Sequence, residues 1–201
     1  RLVVETRGEL QSRVVTGPAR AVGFEPPLGE FAVAGRSRVI HMLTRPKAPP
    51  GERAVTEVPR QLEFLTPQAF EGDFPTIEIL ARVPDGYRPA SPEGAAPVRG
   101  VWTMANSDVF QHVHAREYLY AMENRMGALA ADADLPLDQI SATRARVIFR
   151  RPSLVGERYE LRCALFRQDD KLMALGSYHS VVAGNADDRP ACFLRFEAEL
   201  R

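Results

Sequence analysis

The chain has 201 residues, 45% of them hydrophobic and 26% charged, with 14 Gly. That suffices for one large domain or two small ones whose core needs neither metal nor disulfide. Lys plus Arg and Asp plus Glu both total 26, a formal net charge of +0, so the chain lacks the basic excess by which nucleic acid or an anionic membrane becomes the main partner.

From the N-terminus, Arg1 opens directly into Leu2-Val3-Val4. Leu2–Glu5 and Leu10–Val15 flank Thr6-Arg7-Gly8-Glu9, a hairpin signal, and a further strand is expected at Arg38–Leu43. Residues 1–45 read as the C-terminal strands of a truncated first unit, with upstream sequence expected. Ten of the 16 prolines fall between Pro46 and Pro97. Proline removes a backbone donor, so 46–98 reads as an ordered linker rather than central sheet, with a short helix near Arg60–Phe64. Leu62, Phe64, Leu65, Phe70, Phe74, Ile77, Ile79 and Leu80 are expected to pack on a neighbouring domain.

Residues 99–201 read as a complete α+β domain. Val101–Ala105 is a candidate strand. Ala115, Leu119, Met122, Met126 and Leu129 recur at helical spacing and predict a helix from Gln111 to about Ala131. Four strands follow: Ala145, Val147 and Phe149 alternate with Arg144, Arg146 and Arg150; Tyr159, Leu161, Cys163 and Leu165 alternate with Arg158, Glu160 and Arg162. Leu172–Val182 is entered by the Gln168-Asp169-Asp170-Lys171 turn, and Cys192 to Leu200 alternates again. The expected architecture is a long central helix wrapped by an antiparallel sheet, its four later strands running as a meander with one dry and one wet face. The hairpin at Leu2–Val15 is matched by one at Ala164–Leu175, suggesting an internal repeat. Cys163 and Cys192 both fall on apolar sides and read as free buried thiols in a reducing, cytoplasmic compartment. No apolar run approaches the ~18–20 residues of a membrane span.

Chemistry concentrates in Asn106-Ser107-Asp108-Val109-Phe110-Gln111-His112-Val113-His114-Ala115-Arg116-Glu117-Tyr118-Leu119, with Glu123 a turn later. It sets a carboxylate and two imidazoles at the mouth of the helix, where unpaired N–H groups and a partial positive charge favour a developing oxyanion. Asp108 also reads as a helix N-cap, in a capping box with Gln111. His112 and His114 lack a third ligand at useful spacing, which argues against a metal. Glu123 reads as part of the polar helix face. The row Arg144, Arg146 and Arg150 reads as solvated or as a dock for the phosphate of a phosphopantetheine arm. His41 and His179 have no evident partner in the sequence.

This stretch resembles the hotdog-fold acyl thioesterases. The spacing Asp108, Tyr118, Glu123 is similar to the 4-hydroxybenzoyl-CoA thioesterase type. Asp108–Val113 is similar to the double-hotdog acyl-ACP thioesterases, except that Phe110 stands where those have Asn and no acid stands near Arg150-Arg151-Pro152. The resemblance implies hydrolysis of an acyl-ACP or acyl-CoA thioester without metal or organic cofactor, in paired hotdog units or a homo-oligomer. Asp108 would be base or nucleophile, and His112 would orient substrate or share its proton. Phe110, Gln111, Val113, His114 and Tyr118 would line the substrate, and N–H groups at Gln111–His114 would polarise the carbonyl. The acyl tail would lie between helix and sheet or between two units. Its rivals are a non-catalytic acyl-thioester binder and an acyl-ACP hydro-lyase.

Overall fold

Two long strands, β1 (Val3–Val15) and β2 (Leu28–Met42), pair antiparallel within the first of two units of the chain, Arg1–Glu71. The computed structural model describes residues 3–15, 28–45, 47–49, 52–53, 55–64, 75–92, 94–109 and 111–201. The expectations for Leu65, Phe70, Phe74 and Phe110 lie outside them.

The hairpin turn expected at Thr6–Glu9 is not formed. β1 runs straight through it, and Gly8 pairs with Ser37. A β-carbon on Gly8 would stand 2.8 Å from Ser37 Oγ, so this glycine serves a close strand approach rather than a turn. The repeat with Ala164–Leu175 loses its basis accordingly. The strand expected at Arg38–Leu43 is the end of β2.

The second unit, Gly72–Arg201, holds α1 (Ile77–Ala81), β3 (Arg88–Pro89), β4 (Val98–Val101), α2 (Ala115–Asp132), β5 (Ile140–Phe149), β6 (Arg158–Gln168), β7 (Lys171–Val182), β8 (Asn185–Ala186) and β9 (Cys192–Leu200). Its sheet is antiparallel, ordered β3-β6-β7-β9-β5, with β4 also on β6 and β8 on β7. A large antiparallel sheet packed on one long helix fits the hotdog fold. The expected meander is corrected in one respect: β5 pairs with β9, at the opposite side of the sheet from β6. The proline-rich stretch supplies α1 and β3 to this unit. Pro89 sits opposite Phe166 in a two-residue edge strand, where a missing N–H costs little. The strand expected at Val101–Ala105 ends at Val101, and Met104–Asn106 is a 3-10 turn.

α2 buries Tyr118, Met122, Met126, Leu129 and Ala130 against Leu161, Leu165, Leu172, Leu194 and Phe196. At ~1.5–3 kcal/mol per large apolar side chain this stripe holds helix to sheet. Gly176 lies beneath it, and a β-carbon there would come within 2.3 Å of Met122 Sδ. The layer between helix and sheet is thus filled by side chains.

The expectation of one dry face fails at the centre of the sheet. Leu172, Met173 and Ala174 are buried in succession, as are Cys192, Phe193 and Leu194. α1 lies against β9, Leu80 is buried, and Arg195 Nη1 donates to Arg82 O at 3.0 Å. On β5, by contrast, the supposedly dry Ala145 and Phe149 are exposed, because β5 is an edge strand. Ile79 and Phe64 are exposed as well. Both cysteines are free, Cys192 fully buried and Cys163 partly. Among the described residues no helix is long and apolar enough to cross a membrane.

Candidate active site before the long helix

α2 begins at Ala115, four residues later than the spacing predicts, with His114 at its N-cap and no side-chain cap bond. Residues 107–109 and 111–113 are bonded to one another instead. Ser107 bridges Val113; Asp108 N–H donates to His112 O at 2.9 Å and Gln111 N–H to Asp108 O at 3.0 Å. The Asp108 carboxylate accepts the His112 N–H at 3.0 Å. Asp108 therefore caps this loop, not the helix, which corrects the capping-box reading while keeping its chemistry. Gln111 takes a left-handed φ of 61°, a strain of ~1–2 kcal/mol for a non-glycine residue, held by the bonds around it.

Two bonds strap the loop to the turn ahead of β6. Val113 N–H donates to Ser153 O at 2.9 Å and Val155 N–H donates to Gln111 O at 3.2 Å, which sets His112 opposite Leu154. Asn106 closes the other side: its Oδ1 accepts from Thr103 N–H at 3.0 Å, its Nδ2 donates to Glu117 Oε2 at 2.8 Å, and its carbonyl accepts from His114 N–H at 2.9 Å.

Asp108 and His112 thus stand at the two ends of one loop, Asp108 half-buried and His112 exposed. Gln111 is exposed and His114 half-buried, while Val113 is buried against the core. Tyr118 is 1% exposed. Its ring packs on Trp102, Phe149 and Tyr178 at centroid distances of 4.9, 5.2 and 5.1 Å, and burial raises its pKa although Ser153 hydrogen-bonds it. Its ring belongs to the core cluster beneath the helix. Glu123 is exposed on α2.

The expected oxyanion donors are corrected. The N–H groups of Gln111, His112, Val113 and His114 all donate within the protein. By helix geometry the N–H groups of the first turn, Ala115 and Arg116, have no acceptor within the helix, where the macrodipole is positive.

Two acids near the loop were not singled out in the sequence. Glu117, in the first turn of α2, is held below the usual carboxylate range by the Asn106 amide first and by Arg116; its place a turn inside the helix start was the available signal. Glu157 binds Arg151 at 3.2 Å and gives its carbonyl to Trp102 N–H at 3.0 Å. It comes from the turn before β6, and only tertiary pairing brings it here. Two members of the arginine row have partners within the protein: Arg146 meets Glu197 at 3.4 Å, and Arg150 Nη1 donates to Pro190 O at 3.3 Å. Met104 and Val109 are 68% and 91% exposed and Leu154 43%, an apolar rim around the loop.

No family model matches the sequence, and no curated protein matches it. Several solved structures are similar. A gentisyl-coenzyme A thioesterase is 12% identical over 52% of this chain and 86% of its own, with a TM-score of 0.43. A 1,4-dihydroxy-2-naphthoyl-CoA thioesterase from Synechocystis is 10% identical over 51% and 79%, TM-score 0.44. A thioesterase from Thermus thermophilus, complexed with coenzyme A and zinc, is 17% identical over 52% and 78%, TM-score 0.43. The fold assignment rests on the strand order and packing given above, not on these likenesses.

Proposed function

We infer that the second unit hydrolyses acyl thioesters, of coenzyme A or an acyl-carrier protein, at the loop Ser107–Val113. The observation that carries this is a half-buried Asp108 held by its own loop beside His112, directly ahead of an 18-residue helix. In the hydrolytic step Asp108 takes a proton from water as the oxygen adds to the thioester carbonyl carbon. The oxyanion meets the first-turn N–H groups of α2. Collapse breaks the carbon–sulfur bond, and the thiolate leaves with the proton that Asp108 held. His112 orients the thioester. Because side chains fill the layer between α2 and the sheet, the acyl tail lies on the rim of Met104, Val109 and Leu154, which a second copy of the chain would cover in a homo-oligomer.

Asp108→Asn keeps an oxygen to accept the His112 N–H and removes the base. Hydrolysis of a medium-chain acyl-CoA by this variant is expected to fall ~10²-fold or more, with little change in melting temperature. Equal turnover in variant and parent sinks the catalytic assignment. It would favour the second reading, a non-catalytic acyl-thioester binder in which Asp108 only shapes the loop, a role its bond to His112 N–H already supports.

A further inference from the structure

On a strand, residues two apart share a face, and β7 carries Ser177 and His179. Gly176 points at Met122 of α2, so Ser177 and His179 point away from the helix, on the other side of the sheet from the aromatic core. Ser177 Oγ lies 2.9 Å from His179 Nε2, and His179 Nδ1 lies 2.6 Å from the main-chain carbonyl oxygen of Asp187. A carbonyl only accepts, so Nδ1 carries the proton of the neutral ring. Nε2 is left as an acceptor, and the Ser177 hydroxyl donates to it.

A buried histidine needs a partner on each nitrogen, and a hydroxyl and a carbonyl meet that need. Three further features exceed it. The bonds run in one direction, from hydroxyl to ring to carbonyl. They start at a half-buried serine lining a groove of about 660 Å³ whose floor includes Ala164, Phe166, Leu175 and Phe193. Arg162, also in the groove, is the cross-strand partner of Ser177, close enough for side chains to meet. Its Nε is anchored on Glu160 Oε1 at 2.9 Å, and Arg99 holds the same carboxylate at 2.7 Å.

We propose that Ser177, with His179 as its base, is a second acyl-accepting site, taking carboxylic esters with an apolar acyl group. Ser177 Oγ adds to the ester carbonyl carbon as its proton passes to His179 Nε2. The oxyanion that forms faces the Arg162 guanidinium. Collapse breaks the acyl carbon–oxygen bond, and the leaving alkoxide takes the proton from Nε2. Water then repeats the sequence on the acyl-serine, releasing the acid and restoring the hydroxyl. None of these groups belongs to the Asp108 loop, so the site stands or falls independently of thioester hydrolysis there.

The test treats the full chain with p-nitrophenyl butyrate and, separately, with a fluorophosphonate, and maps the modified residue by peptide mass spectrometry. Both reagents are expected on Ser177. Ser177→Ala should lose the modification without a change in melting temperature, and His179→Gln should slow it ~10²-fold or more. Should His179→Gln fail to fold, Ser177→Cys keeps the test open, since the acyl group should then appear on sulfur at that position. A folded parent chain left unmodified at Ser177 overturns the proposal, as does modification that continues at the same rate in Ser177→Ala.

Discussion

β1 and β2, of 13 and 15 residues, are longer than any strand of the second unit, yet their described side chains bury little. Leu10, Val33 and Val39 are 67%, 45% and 44% exposed. In the second unit the shorter strands β6, β7 and β9 carry side chains at or near full burial beneath α2. Both regions have a regular hydrogen-bonded ladder, so the ladder is not what separates them. A net hydrogen bond contributes only ~0.5–1.5 kcal/mol, because water competes for the same groups. A two-stranded hairpin is marginal without an apolar layer. What the second unit adds is cover: α2 on one face and α1 on part of the other.

The sharpest way to break that comparison is to remove the same kind of atoms from each region. Met122→Ala empties space above Gly176 and is expected to cost ~2–5 kcal/mol in urea unfolding. Leu10→Ala, on an exposed strand, should stay within ~0.5 kcal/mol. Comparable losses at the two positions would show that the first unit has a core of its own.

Thiol reactivity reads the integrity of the covered region next. Burial pushes the Cys163 thiol up to about 12 and raises Cys192 as well, and the thiolate is the reactive form. At pH 8 the folded chain should react with an aromatic disulfide reagent ~10²-fold or more slowly than in denaturant. Rapid reaction of both thiols in the folded state would mean that β6 and β9 open readily.

The smallest effect belongs to the uncovered ladder. Glu5 binds Arg38 Nη2 at 2.8 Å and also Arg7, and these bonds, Arg38 first, lower its carboxyl from 4.5 to about 2. Because the folded value is depressed, the stabilisation is complete above about pH 4.5 and is lost as the pH falls toward 2. The pair is on the surface, so the contribution is small and screened by salt. A carboxyl NMR titration should place Glu5 low, and Arg38→Gln or ~1 M salt should return it toward 4.5. An unshifted titration in the parent chain would show that the ladder lacks this tie.

Much of the covered region was legible in the sequence. Met122, Met126 and Leu129 recur at helical spacing and are buried. The Gln168–Lys171 turn closes as expected, with Asp169 at φ 54°. Misreadings arose where one residue type serves two purposes. Gly8 resembles a turn glycine but permits an approach to Ser37. Asp108 resembles a helix cap but caps a loop, so the helix starts at Ala115.

Local spacing by itself determined the body of the long helix and of the later strands, and which side chains of the helix turn inward, because those periodicities depend only on neighbours along the chain. It also gathered Asp108 and His112 into one short stretch. Tertiary structure decided the rest. It set β5 against β9 and brought the Ser153–Val155 turn to the Asp108 loop, where the Ser153 carbonyl takes the Val113 N–H. Each of these is a choice among partners distant in the chain, settled by which pairing buries the most apolar surface with its polar groups satisfied, and spacing along the chain does not encode it.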